Sequence, residues 1–203
     1  MRREGATVGT RSAAVQAVFM PKIEFGPLRV EKLSGIARPL SFDDEMGIRP
    51  DILVGVDLLR LSKFVIDYKA KTMIFGEVPL LKYSAAILAE ARLLLLDAVV
   101  DGKSLRLQID TGFNAILVYG GRLRSSPLEE LDSRNSAFGI PLKARPSHIG
   151  ELKIGTWRAK GITAYVTDEA PSGDPGFDGL LGPAALGVRL LAFDFENHIV
   201  AWQ

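Results

Sequence analysis

The sequence contains no cysteine and only two histidines, His148 and His198. The first absence excludes disulfides, zinc–thiolate sites and a cysteine nucleophile. It fits any redox compartment, so it does not locate the protein. The histidines stand fifty residues apart, without ligand spacing, so no metal site is expected; no cofactor is expected either. An excess of one charge is also missing. There are 25 basic and 24 acidic residues, for a net charge of +1, which gives no basis for a nucleic-acid or anionic-membrane partner. Long apolar runs are missing too. The greasiest stretch, Ala85–Val100, is broken by Glu90, Arg92 and Asp97, whereas a membrane span needs about 20 mostly apolar residues. Met1-Arg-Arg-Glu-Gly-Ala6 is followed by no apolar core of the secretory kind, and the compartment stays open. Gly-x-Ser-x-Gly and P-loop motifs do not occur, so serine-hydrolase and nucleotide-hydrolase readings have no support.

What is present is an ordinary globular composition, 47% hydrophobic and 24% charged over 203 residues. That is room for one large or two small domains. The chain also matches itself. Asp51-Ile-Leu-Val-Gly55-Val-Asp-Leu-Leu59 resembles Asp178-Gly-Leu-Leu-Gly182-Pro-Ala-Ala-Leu186 at a spacing of 127. The same spacing pairs Asp67-Tyr68 with Asp194-Phe195 and Phe75 with Trp202. Upstream, Ile23-Glu-Phe-Gly26 matches Leu152-Lys-Ile-Gly155 at a spacing of 129, which brings Arg29 into step with Arg158. Three matches in one order point to a duplicated unit.

Strand signals dominate. Leu93–Val100, Asp101-Gly102 and Leu105–Ile109 read as a β-hairpin, because Asp-Gly supplies the positive φ angles of a two-residue turn. Apolar and polar residues alternate in Leu105-Arg-Leu-Gln-Ile109, which buries one face. A second hairpin is expected around Gly155, and short helices over Pro127–Asn135 and Pro183–Leu190. Asp67 and Asp194 read as turn residues, His198 as an exposed turn residue, and Trp157 and Trp202 as packing residues. The domain boundary is expected within Gly76–Ala91.

Asp110-Thr111-Gly112 ends the predicted strand and is followed by Phe113-Asn-Ala-Ile-Leu-Val118, with Leu180-Leu-Gly182 about 70 residues later. A turn aspartate alone would explain Asp110. Asp-Thr-Gly on an apolar strand, joined to a later apolar-apolar-Gly, resembles the retropepsin-like aspartic peptidases, and the Asp-Thr-Gly-Phe-Asn form is similar to their bacterial clan AA branch. The resemblance implies an all-β, pepsin/retropepsin-like fold with one complete lobe and one partial, pseudo-symmetric lobe. The partial lobe would span residues 1–76, a linker 77–90 and the complete lobe 91–203. It implies peptide-bond hydrolysis by a carboxylate-activated water, with Asp110, Thr111 and Gly112 as the catalytic loop. Leu180, Leu181 and Gly182 would support that loop from beneath. A flap near His148–Trp157 would close over the peptide, so that Phe113, Asn114, His148 and Ile149 border the substrate. The partner implied is a peptide or protein substrate.

Such chemistry uses two carboxylates that share one proton, one acting as base on water and the other as acid. This sequence has one Asp-Thr-Gly. Carried back by 127, the equivalent of Asp110 falls before residue 1. Three forms stay open: a two-lobed peptidase whose first catalytic loop lies upstream, a homodimer in which each copy supplies Asp110, and a catalytically inactive relative that binds peptides or proteins.

Overall fold

The computed structural model describes residues 3–8, 11–37, 51–88, 93–120, 122–123, 132–135, 141–168 and 176–203. The fold is all-β, as expected, with three sheets. The first holds β1 (Arg3–Val8), β2 (Arg11–Phe25) and β3 (Leu28–Ala37). A short helix, Val56–Leu59, precedes β4 (Phe64–Asp67), β5 (Thr72–Phe75) and β6 (Tyr83–Ala86). The expected linker 77–90 therefore carries a strand.

The largest sheet contains β7 (Leu95–Val100), β8 (Lys103–Ile109), β9 (Ile116–Tyr119), β10 (Asp132–Asn135), β11 (Pro141–Ile154), β12 (Trp157–Thr167) and β13 (Gly179–Leu181). Their order is β10-β11-β12-β9-β13-β8-β7, and β11 also pairs with β7, which closes the sheet on itself. Closure leaves the inward alternate residues dry: Leu96, Leu107, Ile116, Val118, Ile149 and Ile154 are all fully buried. Burying each such side chain contributes about 1.5–3 kcal/mol. Asp101 and Gly102 take φ 48° and 80° in the β7–β8 turn, as the Asp-Gly signal requires.

Of the helix expected over Pro127–Asn135, the described part, Asp132–Asn135, is β10, paired with Pro141–Ala144; the rest lies outside the described residues. Asp, Ser and Asn are weak helix formers, and the ladder to β11 decides the conformation. The expected helix at Pro183–Leu190 is a single 3-10 turn, Pro183–Leu186, closed by Gly187 at φ 67°.

The third sheet joins distant parts of the chain. Its order is β5-β4-β14-β15-β6, with β14 (Leu190–Asp194) and β15 (Ile199–Trp202). The β4–β5 and β14–β15 hairpins share one register. Phe64 faces Phe75 and Asp67 faces Thr72; 127 positions on, Leu191 faces Trp202 and Asp194 faces Ile199. Each turn begins with an aspartate whose Oδ1 accepts a backbone N–H, from Ala70 at 2.7 Å and from Asn197 at 3.0 Å. Lys71 and His198 follow in the left-handed region, φ 57° and 54°. Asp67, Asp194 and His198 are thus turn residues, as expected.

Candidate active site

β8 places its apolar residues Leu105, Leu107 and Ile109 in the core and delivers Asp110 at its end. β13 is wedged between two strands, parallel to β8 and antiparallel to β9, so Leu181 lies opposite both Ile109 and Ile116. The Asp110 N–H donates to the Leu181 carbonyl at 3.0 Å, and the Gly182 N–H donates to the Ala115 carbonyl at 2.8 Å. The loop between β8 and β9 is therefore held at both ends by backbone hydrogen bonds to Leu181 and Gly182. A Cβ on Gly182 would overlap the Phe113 carbonyl, and one on Gly179 the Leu117 carbonyl. These approaches need glycine.

Within the loop, the Phe113 N–H donates to the Asp110 carbonyl at 3.1 Å, and the Gly112 N–H donates to Asp110 Oδ1 at 3.0 Å. Burial holds the Asp110 carboxyl above the usual carboxylate range, and the Gly112 amide offsets part of that shift. No salt bridge to Asp110 occurs among the described residues. A half-buried carboxyl without a cation keeps its proton to higher pH than an exposed one. It can serve as acid in one step and base in the next.

The sign of the raised pKa gives a test. The folded state penalises ionisation, so the penalty is absent below the unfolded pKa and grows as pH rises through the folded pKa. Asp110→Asn keeps the shape and the acceptor for Gly112 but cannot ionise. It is expected to melt above the parent protein near neutral pH, with no difference at about pH 3, where unfolded aspartates are protonated. Differential scanning calorimetry at both pH values checks this; a destabilised variant at neutral pH would contradict it.

Phe113 is half-buried, and Thr111, Gly112 and Asn114 are exposed on the same loop. Leu180, Leu181 and Gly182 lie directly beside it through β13. His148 and Ile149 are on β11, which is separated from β9 by β12. His148 is exposed, but Ile149 is fully buried in the core. The hairpin expected as a flap is pinned at its tip. The Thr156 N–H donates to the Ser84 carbonyl at 2.9 Å, Thr156 Oγ1 accepts from the Ser84 N–H at 2.9 Å, and Gly155 abuts Ser84 and Ala85. A turn bonded to β6 cannot also swing over a ligand.

Two residues near the site gave little signal in the sequence. Asp178 bridges the start of β13 to its neighbours: its Oδ2 accepts the Arg106 N–H at 2.8 Å, and its Oδ1 lies 3.1 Å from the Arg122 guanidinium. Tyr119 has its phenol pushed up to about 12, chiefly by burial and further by the negative charge of Asp110. It therefore stays a neutral hydrogen-bonding group. Only its place on an apolar strand after Asp-Thr-Gly could have marked it. Among the described residues, no group of three His, Cys, Asp or Glu could hold a metal, and no helix is long and apolar enough to cross a membrane.

No protein-family model matches the chain. Among solved structures, it is similar to a retropepsin-like aspartic protease from Rickettsia conorii, with 17% identity and a TM-score of 0.40, over 68% of this chain and 90% of that one.

Proposed function

We propose that the chain carries one half of an aspartic peptidase active site, with Asp110 as the carboxylate that activates water against a peptide bond. The observation that carries the reading is the environment of Asp110. Its carboxyl sits at the crossing of β8, β13 and β9, is raised by burial, and is oriented by the Gly112 amide. Paired with a second carboxyl, it would share one proton. The ionised oxygen would take a proton from water while the protonated group polarises the scissile carbonyl and then supports protonation of the leaving amine. The titration would belong to the pair. Thr111 and Gly112 shape the loop, Phe113 and Asn114 border the peptide, and His148 is a more distant candidate for contact with it. Leu180, Leu181 and Gly182 hold the loop in place.

A second reading, a peptide- or protein-binding module without hydrolysis, is favoured by one observation. The shift of Asp110 has burial and the Gly112 amide as its causes, and no second carboxylate contributes among the described residues. Hydrolysis of a peptide library at acidic to neutral pH, with Asp110→Asn as control, separates the two. Cleavage abolished by the substitution supports the peptidase. Cleavage that survives it removes Asp110 from the mechanism, and binding without cleavage in both proteins favours the module.

A further inference from the structure

β13 is only three residues long, Gly179–Leu181. Yet the Leu181 carbonyl takes the Asp110 N–H, and the Gly182 N–H just beyond it reaches Ala115. A strand so short has few ladder bonds to fix its register. A slip of one residue would turn the buried Leu181 outward and exchange it for Leu180. The residue ahead of the strand supplies further bonds. The Asp178 N–H donates to the Arg106 carbonyl at 2.6 Å, and Asp178 Oδ2 accepts the Arg106 N–H at 2.8 Å. The Asp178 carbonyl accepts the Tyr119 N–H at 2.8 Å. One residue thus satisfies both backbone groups of Arg106 on β8 and reaches the end of β9 as well. Its ion pair with Arg122 adds little, because that arginine is 63% exposed.

The same device recurs at the opposite end of β8 from Asp110. The Asp101 N–H donates to the Glu151 carbonyl at 2.9 Å, and Asp101 Oδ1 accepts the Glu151 N–H at 2.8 Å, which ties the β7–β8 turn to β11. In both places a carboxylate occupies the position that a backbone carbonyl holds in a ladder. An ionised acceptor makes the stronger bond. Only Asp178 adjoins the strand that holds the loop of Asp110.

We propose that Asp178 is a positioning residue for Asp110: its carboxylate, standing in for a backbone carbonyl at Arg106, fixes the register in which Leu181 and Gly182 hold the β8–β9 loop. What Asp110 does rests on the peptidase reading; what holds it in place does not. NMR titration of the Asp110 carboxyl in the full chain tests the proposal. Without the anchor the loop loosens and water reaches the carboxyl, so in Asp178→Ala the Asp110 midpoint is expected to fall toward the ordinary carboxylate range. Asp178→Asn loses the charge but keeps an acceptor for the Arg106 N–H, and its Asp110 is expected to titrate as in the parent. Asp101→Ala removes the matching bond at the other end of β8, and is expected to lose stability without moving Asp110. If Asp178→Ala does not fold, Asp178→Ser, whose hydroxyl is too short to reach Arg106, takes its place with the same expectation. In the parent the Arg106 amide is expected to exchange slowly. An unmoved Asp110 midpoint, equal shifts with and without the Asn acceptor, a shift in Asp101→Ala, or a fast Arg106 amide would each overturn the proposal. No readout needs cleavage, so an inactive protein would leave this result standing while the functional reading fell.

Discussion

Gly182→Ala is expected to cost about 3 kcal/mol or more of folding free energy, at the upper end of what overpacking does. The added methyl would overlap the Phe113 carbonyl oxygen and lie 2.6 Å from its carbon and 2.9 Å from the Ala115 oxygen. All three are backbone atoms, so no rotamer change relieves them. Relief requires the β8–β9 loop to lift away from β13, breaking the 2.8 Å Gly182–Ala115 hydrogen bond. The same change at Gly55 is expected to cost less than about 1 kcal/mol. There the methyl would meet only the Asp57 carboxylate, which can rotate into solvent. Urea denaturation of both variants measures the difference. Equal costs would mean that the two glycines sit in equally crowded places, contrary to the structure.

Phe64→Ala is the second large effect, at about 3–5 kcal/mol. Phe64 is 1% exposed, and its ring centre lies 5.0 Å from that of Phe193, 6.0 Å from Phe195 and 6.1 Å from Phe75. Truncation removes the packing that ties β4 to β14, and the rings around the cavity are too large to collapse into it. The destabilised protein should also expose β14 to early hydrogen exchange, because β4 covers its edge. Ile74→Ala, on the exposed edge of the same hairpin, serves as the control, with an expected cost below about 1 kcal/mol. A Phe64→Ala cost as small as the control's would show that the ring cluster does not hold the sheet together.

Local chemistry made part of this fold readable. Asp101-Gly102 dictates its turn, the alternation in Leu105–Ile109 sets the buried face of β8, and Asp67 and Asp194 cap their own turns. Asp110 with Gly182 was readable because the wedge of β13 demands small and apolar residues at fixed places. What stayed hidden depends on partners far away in sequence. Tyr83-Ser-Ala-Ala86 has no alternation, and it is a strand because β15 and the Gly155–Thr156 turn lie against it. Ile149 looks like a flap residue until the pairing of β11 with both β12 and β7 turns it inward. Asp178 is an ordinary loop aspartate until β8 arrives beside it.

The β4–β14 ladder also bears on how the chain is made. Closing a loop of 127 residues costs about 4 kcal/mol in chain entropy, and during synthesis at about 5–20 residues per second the second strand emerges roughly 6–25 s after the first. Through that interval β4–β5 is a lone hairpin, which is marginal by itself in water, with its unpaired edges open to neighbouring nascent chains on the same message. Slower elongation lengthens the exposure, so the yield of folded protein is tied to the pace of translation across the stretch between the two hairpins.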